Sequence, residues 1–257
     1  MRLRQIALVA HDLEPVAQRL HDAFGLKVAF RDPAVGVFGL INVVMPAGGE
    51  FLEIVQPVTD DASAARYLKR RGGDAGYMLI FQTDDAKKHR DRLVAQGLRA
   101  VAQRDGHYSF THFHPGDFGG VLVSIDSVGD GSGWRERMSD WPPAGRDWRD
   151  HPAGPDVIGI AGATVQAKDP EAAAARWSEL LQVPYVGATL NLEGGSLRFI
   201  PPVDGDGTGI VAIDIAVTDP ERSLERAKSN GMQMQDGAIQ IGGVGIAPFG
   251  AGGRTKT

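Results

Sequence analysis

Cysteine is absent from the 257-residue chain, which excludes disulfides, zinc ribbons, thiolate-held metals and a cysteine nucleophile. No run approaches the roughly 18 apolar residues of a membrane helix. The opening Met1-Arg2-Leu3-Arg4 lacks the apolar core of a signal peptide. An excess of one charge is missing too. The 27 Lys and Arg against 32 Asp and Glu leave a net charge of −5, too mild to gather nucleic acid or an anionic membrane. Neither G-x-x-x-x-G-K-[ST] nor a strand-linked G-x-G-x-x-G occurs, so no nucleotide-phosphate cradle is indicated. These absences give the expectation of a soluble, cytoplasmic protein with neither nucleic acid nor membrane as partner. Glycine, by contrast, is plentiful at 34 residues, and the 42% hydrophobic fraction is ample for a core.

The glycines punctuate a repeat. Gln5–Ala10 reads as an apolar strand, Asp12 as the cap of a helix running to about Phe24, and Gly25 as its stop. The pattern returns at Tyr77–Gln82 with Asp85 and Gly97, at Ala161–Ala167 with Asp169-Pro170, and at Ile210–Val217 with Asp219-Pro220 and Gly231. An Asp at each N-cap accepts hydrogen bonds from first-turn amides, and Pro170 and Pro220 suit the first helical position. Short β-like runs follow each helix: Lys27–Phe30, Val37–Val44 and Phe51–Val55 in the first copy, with equivalent sets in the other three. The chain therefore predicts four βαβββ modules. Modules one and two make a domain over 1–126, a Gly- and Pro-rich connection covers 127–155, and modules three and four make a domain over 156–257. Trp134, Trp141 and Trp148 lie seven apart in the connection, yet Pro142-Pro143 denies them one helix. They are expected to pin the connection down, or else to form a lid over a cleft.

Several stretches carry a family resemblance. Ile6-Ala7-Leu8-Val9-Ala10-His11-Asp12-Leu13-Glu14, Phe51-Leu52-Glu53-Ile54-Val55-Gln56-Pro57 and Phe113-His114-Pro115-Gly116-Asp117-Phe118-Gly119-Gly120-Val121-Leu122-Val123 resemble the vicinal oxygen chelate superfamily, the group of glyoxalases, bleomycin-resistance proteins and extradiol dioxygenases. The likeness is strongest to its methylmalonyl-CoA epimerase-like branch. It implies an α+β, tandem vicinal-oxygen-chelate fold with two curved mixed sheets and outer helices, and it is compatible with a homodimer. It also implies a divalent metal held by His and Glu. Here the corresponding positions hold Gln5, Met78 and Ser124, with Gly162, Arg198, Ala212 and roughly Ala247 in the second half. Met and Ser are poor ligands for a hard divalent ion, so no metal and no cofactor are expected.

Glu53 is the leading catalytic candidate, because a carboxyl in an apolar run tends towards the raised pKa that a proton-abstracting base needs. The resemblance adds that some epimerases use a carboxylate in this strand. The alternative is a Glu53 facing water or paired with an arginine. His112, His107 and Tyr77 are candidates for polarising a substrate oxygen, with Gln5, Met78, Tyr108, His114 and Ser124 as substrate-binding candidates. Each imidazole alone also fits a hydrogen-bonded loop residue. Arg66, Lys69, Arg70 and Arg71 read as a solvated helix face or as an anion contact.

Three functional readings follow. The first is a metal-independent isomerase or lyase acting by proton transfer next to a carbonyl of a small organic substrate, acyl thioesters included. The second is a non-catalytic, ligand-sequestering protein of the resistance type. The third is a metal-dependent glyoxalase-like enzyme with atypical ligands, such as Glu53 with Gln5 or with the histidine group.

Overall fold

The computed structural model describes residues 1–203, 205 and 207–250. Module one consists of β1 (Arg2–Val9), α1 (Leu13–Phe24), β2 (Leu40–Ala47) and β3 (Glu50–Pro57), and α2 (Ser63–Arg71) follows it. Module two is β4 (Ala75–Gln82), α3 (Ala86–Ala95), β5 (Ala100–Arg104), β6 (Tyr108–Phe113) and β7 (Leu122–Val128). Module three is β8 (Val157–Gln166), α4 (Pro170–Leu181), β9 (Tyr185–Val186), β10 (Thr189–Leu192) and β11 (Gly195–Ile200). Module four is β12 (Gly209–Val217), α5 (Pro220–Ser229), β13 (Met234–Gln235), β14 (Ala238–Ile241) and β15 (Val244–Gly250). The architecture is α+β with two mixed sheets. One has the strand order β2-β3-β1-β4-β7-β6-β5, the other β13-β14-β15-β12-β8-β11-β10-β9. Among the described residues no helix is long and apolar enough to cross a membrane.

The four helix starts behave as their residue types dictate. Asp12, Asp85, Asp169 and Asp219 are N-caps whose side chains accept from Glu14, Lys88, Ala172 and Arg222 amides, and Pro170 and Pro220 sit in the first turn. Module one departs from expectation. Lys27–Phe30 contributes only the single bridge Phe30–Val44, and Pro33–Phe38 is a 3-10 turn instead of the start of a strand. Asp32 caps that turn by accepting from the Ala34 amide, with Pro33 next to it. The capping chemistry outweighs the β preference of Val37 and Phe38, both exposed.

Packing divides the chain into two compact units. The first holds Met1–Ala7, Tyr77–Pro142 and Gly162–Ile210, and the second holds the remaining described segments. In the first unit the odd-numbered residues of β4 and β6 turn towards the helices. Phe81, Phe118 and Phe199 surround Trp177 at centroid distances of 6.4, 5.0 and 5.4 Å, and Phe113 lies 5.9 Å from Phe118. These edge and tilted ring contacts form its core. The loop before β7 is held by His114 Nδ1, which accepts from the Gly116 amide, and by the Arg99–Asp117 ion pair. Gly120, at φ +105°, closes that loop, and a Cβ there would overlap the Thr208 hydroxyl. In the second unit Trp148, buried at 1% exposure, packs edge-on against Phe51 at 4.9 Å.

Candidate functional site

Strand alternation sends the even-numbered residues of β4, β6 and β7 to the side opposite the ring core. In register across the sheet, His112 pairs with Ser124, Phe110 with Asp126, Met78 with Leu122 and Gln82 with Asp126. One face of the first unit thus gathers four of the residues singled out from the sequence: Met78, Tyr108, His112 and Ser124. Gln5 joins them through Trp141, whose Nε1 donates to Gln5 Oε1 at 2.7 Å while its ring meets Tyr108 edge-on at 5.8 Å. Trp141 is fully buried, and the Arg4 guanidinium lies over it at 5.4 Å. Arg4 is held in turn by the Arg137 and Ser139 carbonyls. The part of the connection from Arg137 to Trp141 therefore lies against the polar face of the first unit.

The centre of that face is Asp126, which the sequence reading passed over. Its Oδ2 accepts from Tyr108 Oη at 2.5 Å, and its Oδ1 accepts from Ser124 Oγ. Asp126 has no exposed surface, and burial pushes its carboxyl up to about 7 against the opposing pull of the two hydroxyls. His112, half-buried and 4.7 Å from the Phe110 ring, has its imidazolium pushed down to about 4 by burial, so it is neutral at physiological pH. Neutral imidazole keeps both a donor and an acceptor nitrogen.

Other candidates fall elsewhere. His107 is exposed and lies 3.7 Å from Asp140. His114 serves the turn before β7 as described. Tyr77 sits on β4 one residue out of phase with Met78, on the helix-facing side, so the structure does not bring it to the Asp126 face. Arg66 bonds Ser63 Oγ and the Asp61 carbonyl, and Arg70 stacks on Tyr67 at 4.9 Å. Lys69, Arg70 and Arg71 occupy the last turn of α2, where positive charge complements the helix dipole.

In the second unit, Glu53 is buried at 7% exposure on β3. Its Oε1 accepts from Asn42 Nδ2 at 2.6 Å, and Asn42 Oδ1 accepts the Asp32 amide at 2.8 Å. Asn42 is thus fixed by the capped 3-10 turn and in turn orients the carboxylate. Val44 lies opposite Glu53 in the ladder, so the carboxylate shares its face with apolar neighbours.

The donors at the positions where the resemblance implies a metal do not suit a hard divalent ion. Gln5 Oε1 accepts the Trp141 indole, Met78 offers only a thioether, and the Ser124 hydroxyl is spent on Asp126. Among the described residues no three His, Asp or Glu side chains converge.

Comparisons with known proteins agree with this architecture. Residues 6–181 match the family model for the glyoxalase-like domain. An ethylmalonyl-CoA/methylmalonyl-CoA epimerase from Cereibacter sphaeroides is 26% identical over 134 residues, covering 49% of this chain and 98% of the relative. Among solved structures, a 4-hydroxymandelate synthase variant from Streptomyces coelicolor superposes with a TM-score of 0.65 at 20% identity, covering 90% of this chain and 75% of that one. A methylmalonyl-CoA epimerase from Mycobacterium tuberculosis gives 0.45 at 22% identity over 49% of this chain and 87% of its own. The family match spans well over half of the sequence, and the fold neighbour extends across both sheets: the chain belongs to the glyoxalase-like domain family.

Proposed function

We propose that the protein catalyses proton transfer next to a carbonyl of a small organic substrate, as an isomerase or lyase without a metal at the family's usual position. Glu53 is the base in this reading. The observation that carries it is a carboxylate buried on an apolar strand and oriented by Asn42 at 2.6 Å. A base in such a setting is pre-positioned and sheltered from water, as abstraction of a weakly acidic C–H requires. The epimerase relative from Cereibacter sphaeroides makes an acyl-CoA thioester bearing a second carboxyl the first substrate class to try.

The test is solvent-deuterium exchange into methylmalonyl-CoA and ethylmalonyl-CoA. The wild type is expected to exchange the α-hydrogen and Glu53→Gln to lose about 10²–10⁴-fold of the rate. Exchange left unchanged by Glu53→Gln would remove Glu53 from the chemistry.

One observation favours a second reading, that of a ligand-sequestering protein. Trp141 of the connection is buried against the sheet residue Gln5, as a cover over a held ligand would be. A thioester or related carbonyl acid that binds, returns intact and exchanges no deuterium would select this reading.

A further inference from the structure

Asn42 stands where backbone pairing along the outer side of β2 gives way to side-chain pairing. Phe30 and Val44 exchange backbone hydrogen bonds, the Val44 amide donating at 2.9 Å and the Phe30 amide at 3.4 Å. Two residues further along this antiparallel register, Asp32 comes opposite Asn42. There the Asp32 amide donates to the Asn42 side-chain Oδ1 at 2.8 Å, and the Asp32 carboxylate starts the Pro33–Phe38 turn by capping the Ala34 amide. A backbone N–H can only donate, so the oxygen of the Asn42 amide must face Asp32 and its nitrogen must face away. On that other side lies Glu53. Asn42 is opposite Val55 in the β2–β3 ladder and Val44 is opposite Glu53, which makes Asn42 and Glu53 diagonal neighbours on one sheet face. Asn42 Nδ2 donates to Glu53 Oε1 at 2.6 Å, and both residues are buried. A Glu53 that carried its proton on Oε1 would set one donor against another. All of these residues belong to the second unit.

We propose that Asn42 is a positioning residue whose amide direction, locked by the Asp32 backbone, keeps Glu53 presented as a hydrogen-bond acceptor. The Pro33–Phe38 turn, which fixes Asp32, thereby becomes part of the machinery of the site. Its place in a reaction rests on the proton-transfer reading above, in which Glu53 is the base. A donor to the charged form favours the carboxylate over the acid. A carboxylate whose plane is set before the substrate arrives has less orientation to lose on the way to the transition state. Asn42 itself touches no substrate and acts through Glu53.

Asn42→Asp is the sharpest variant, since it keeps an oxygen for the Asp32 amide and changes only the polarity towards Glu53. Two carboxyl groups in hydrogen-bond contact cannot both ionise. Deuterium exchange into methylmalonyl-CoA should fall about 10²-fold in kcat for Asn42→Asp, with KM little changed, and Asn42→Ala should also lose kcat. A residue that only held the turn would let Asn42→Asp exchange at the wild-type rate. That result overturns the proposal, as does an effect of Asn42→Ala confined to KM. A second arm needs no substrate. Infrared spectra of the full chain at pH 7, Asn42→Asp minus wild type, should show a protonated-carboxyl band that vanishes when Glu53→Gln is added. Two ionised carboxylates in Asn42→Asp would mean that positions 42 and 53 are not in contact, and would overturn the pairing. The double variant Asn42→Asp/Glu53→Gln again sets one donor against one acceptor, so its thermal midpoint should recover from that of Asn42→Asp towards the wild type. A double variant less stable than Asn42→Asp counts against the proposal. If the wild type exchanges nothing, the proton-transfer reading fails, and the infrared and thermal measurements still decide whether Asn42 sets the polarity of Glu53.

Discussion

Two polar sheet faces of the first unit have met opposite fates. On β6 and β7, Tyr108 meets Trp141 of the connection, which also donates to Gln5, and His112, Ser124 and Asp126 share the face of Tyr108. On β10 and β11, the corresponding side carries Thr189 opposite Arg198 and Asn191 opposite Ser196, with Thr164 of β8 beside Arg198. There Arg198 and Asn191 are exposed. Both faces back onto the same ring core around Trp177. What separates them is cover. Polar side chains under cover must find partners within the protein or change protonation state, and Asp126 and His112 do the latter. Polar side chains in the open can be satisfied by water.

Removing the cover is the strongest way to break this contrast. Trp141→Ala is expected to cost about 3–5 kcal/mol in denaturant unfolding, from the lost ring volume and a Gln5 oxygen left without its donor. A loss under about 1 kcal/mol would mean that the connection is not a structural part of this face.

The next effect concerns pH. Asp126 has a folded pKa raised above its unfolded value, so the native state holds the proton longer than the unfolded chain does. Its contribution is fully favourable below about 3.8 and is lost as pH rises through about 7. Asp126→Asn removes this dependence. Relative to wild type it should therefore gain roughly 2–3 kcal/mol in unfolding free energy between pH 5 and pH 8. Equal pH slopes for the two proteins would contradict a buried neutral acid.

His112 carries the opposite sign. Its folded pKa, about 4, lies below the unfolded value, so stability is intact above about 6.5 and falls as pH drops towards 4. His112→Gln should flatten that acid limb of the stability profile without changing its alkaline side. The smallest effect belongs to the open face. Asn191→Ala is expected to change stability by no more than about 0.5 kcal/mol, and a loss of 2 kcal/mol would show that this face is not simply solvated.

Legibility in the sequence followed the range of the interactions. The caps at Asp12, Asp85, Asp169 and Asp219 act on amides two or three residues away, so their spacing displays them. The 3-10 turn at Pro33–Phe38 had a local signal in Asp32-Pro33, and a β-rich reading of Val37 and Phe38 obscured it. Tyr77 lies one residue from Met78, which on a strand means the other face, and only the pairing of β4 with β7 shows which face carries Asp126. Asp126 escaped because its meaning depends on Tyr108, 18 residues away, and on a cover supplied by Trp141. The link from Trp141 to Gln5 spans 136 residues and leaves no trace in local pattern. Glu53 was visible as a charge in an apolar run, whereas its orienting partner Asn42 came only with the pairing of β2 and β3.

Hydrogen exchange at the Trp141 indole Nε1–H, followed by NMR in deuterated buffer, tests the covered face most directly. A connection seated on Gln5 predicts a protected indole, exchanging on the timescale of the amides in β6 and β7 and accelerated in Gln5→Ala. An indole that exchanges as fast as an exposed tryptophan would contradict the covered face, and with it the dry setting assigned to Asp126.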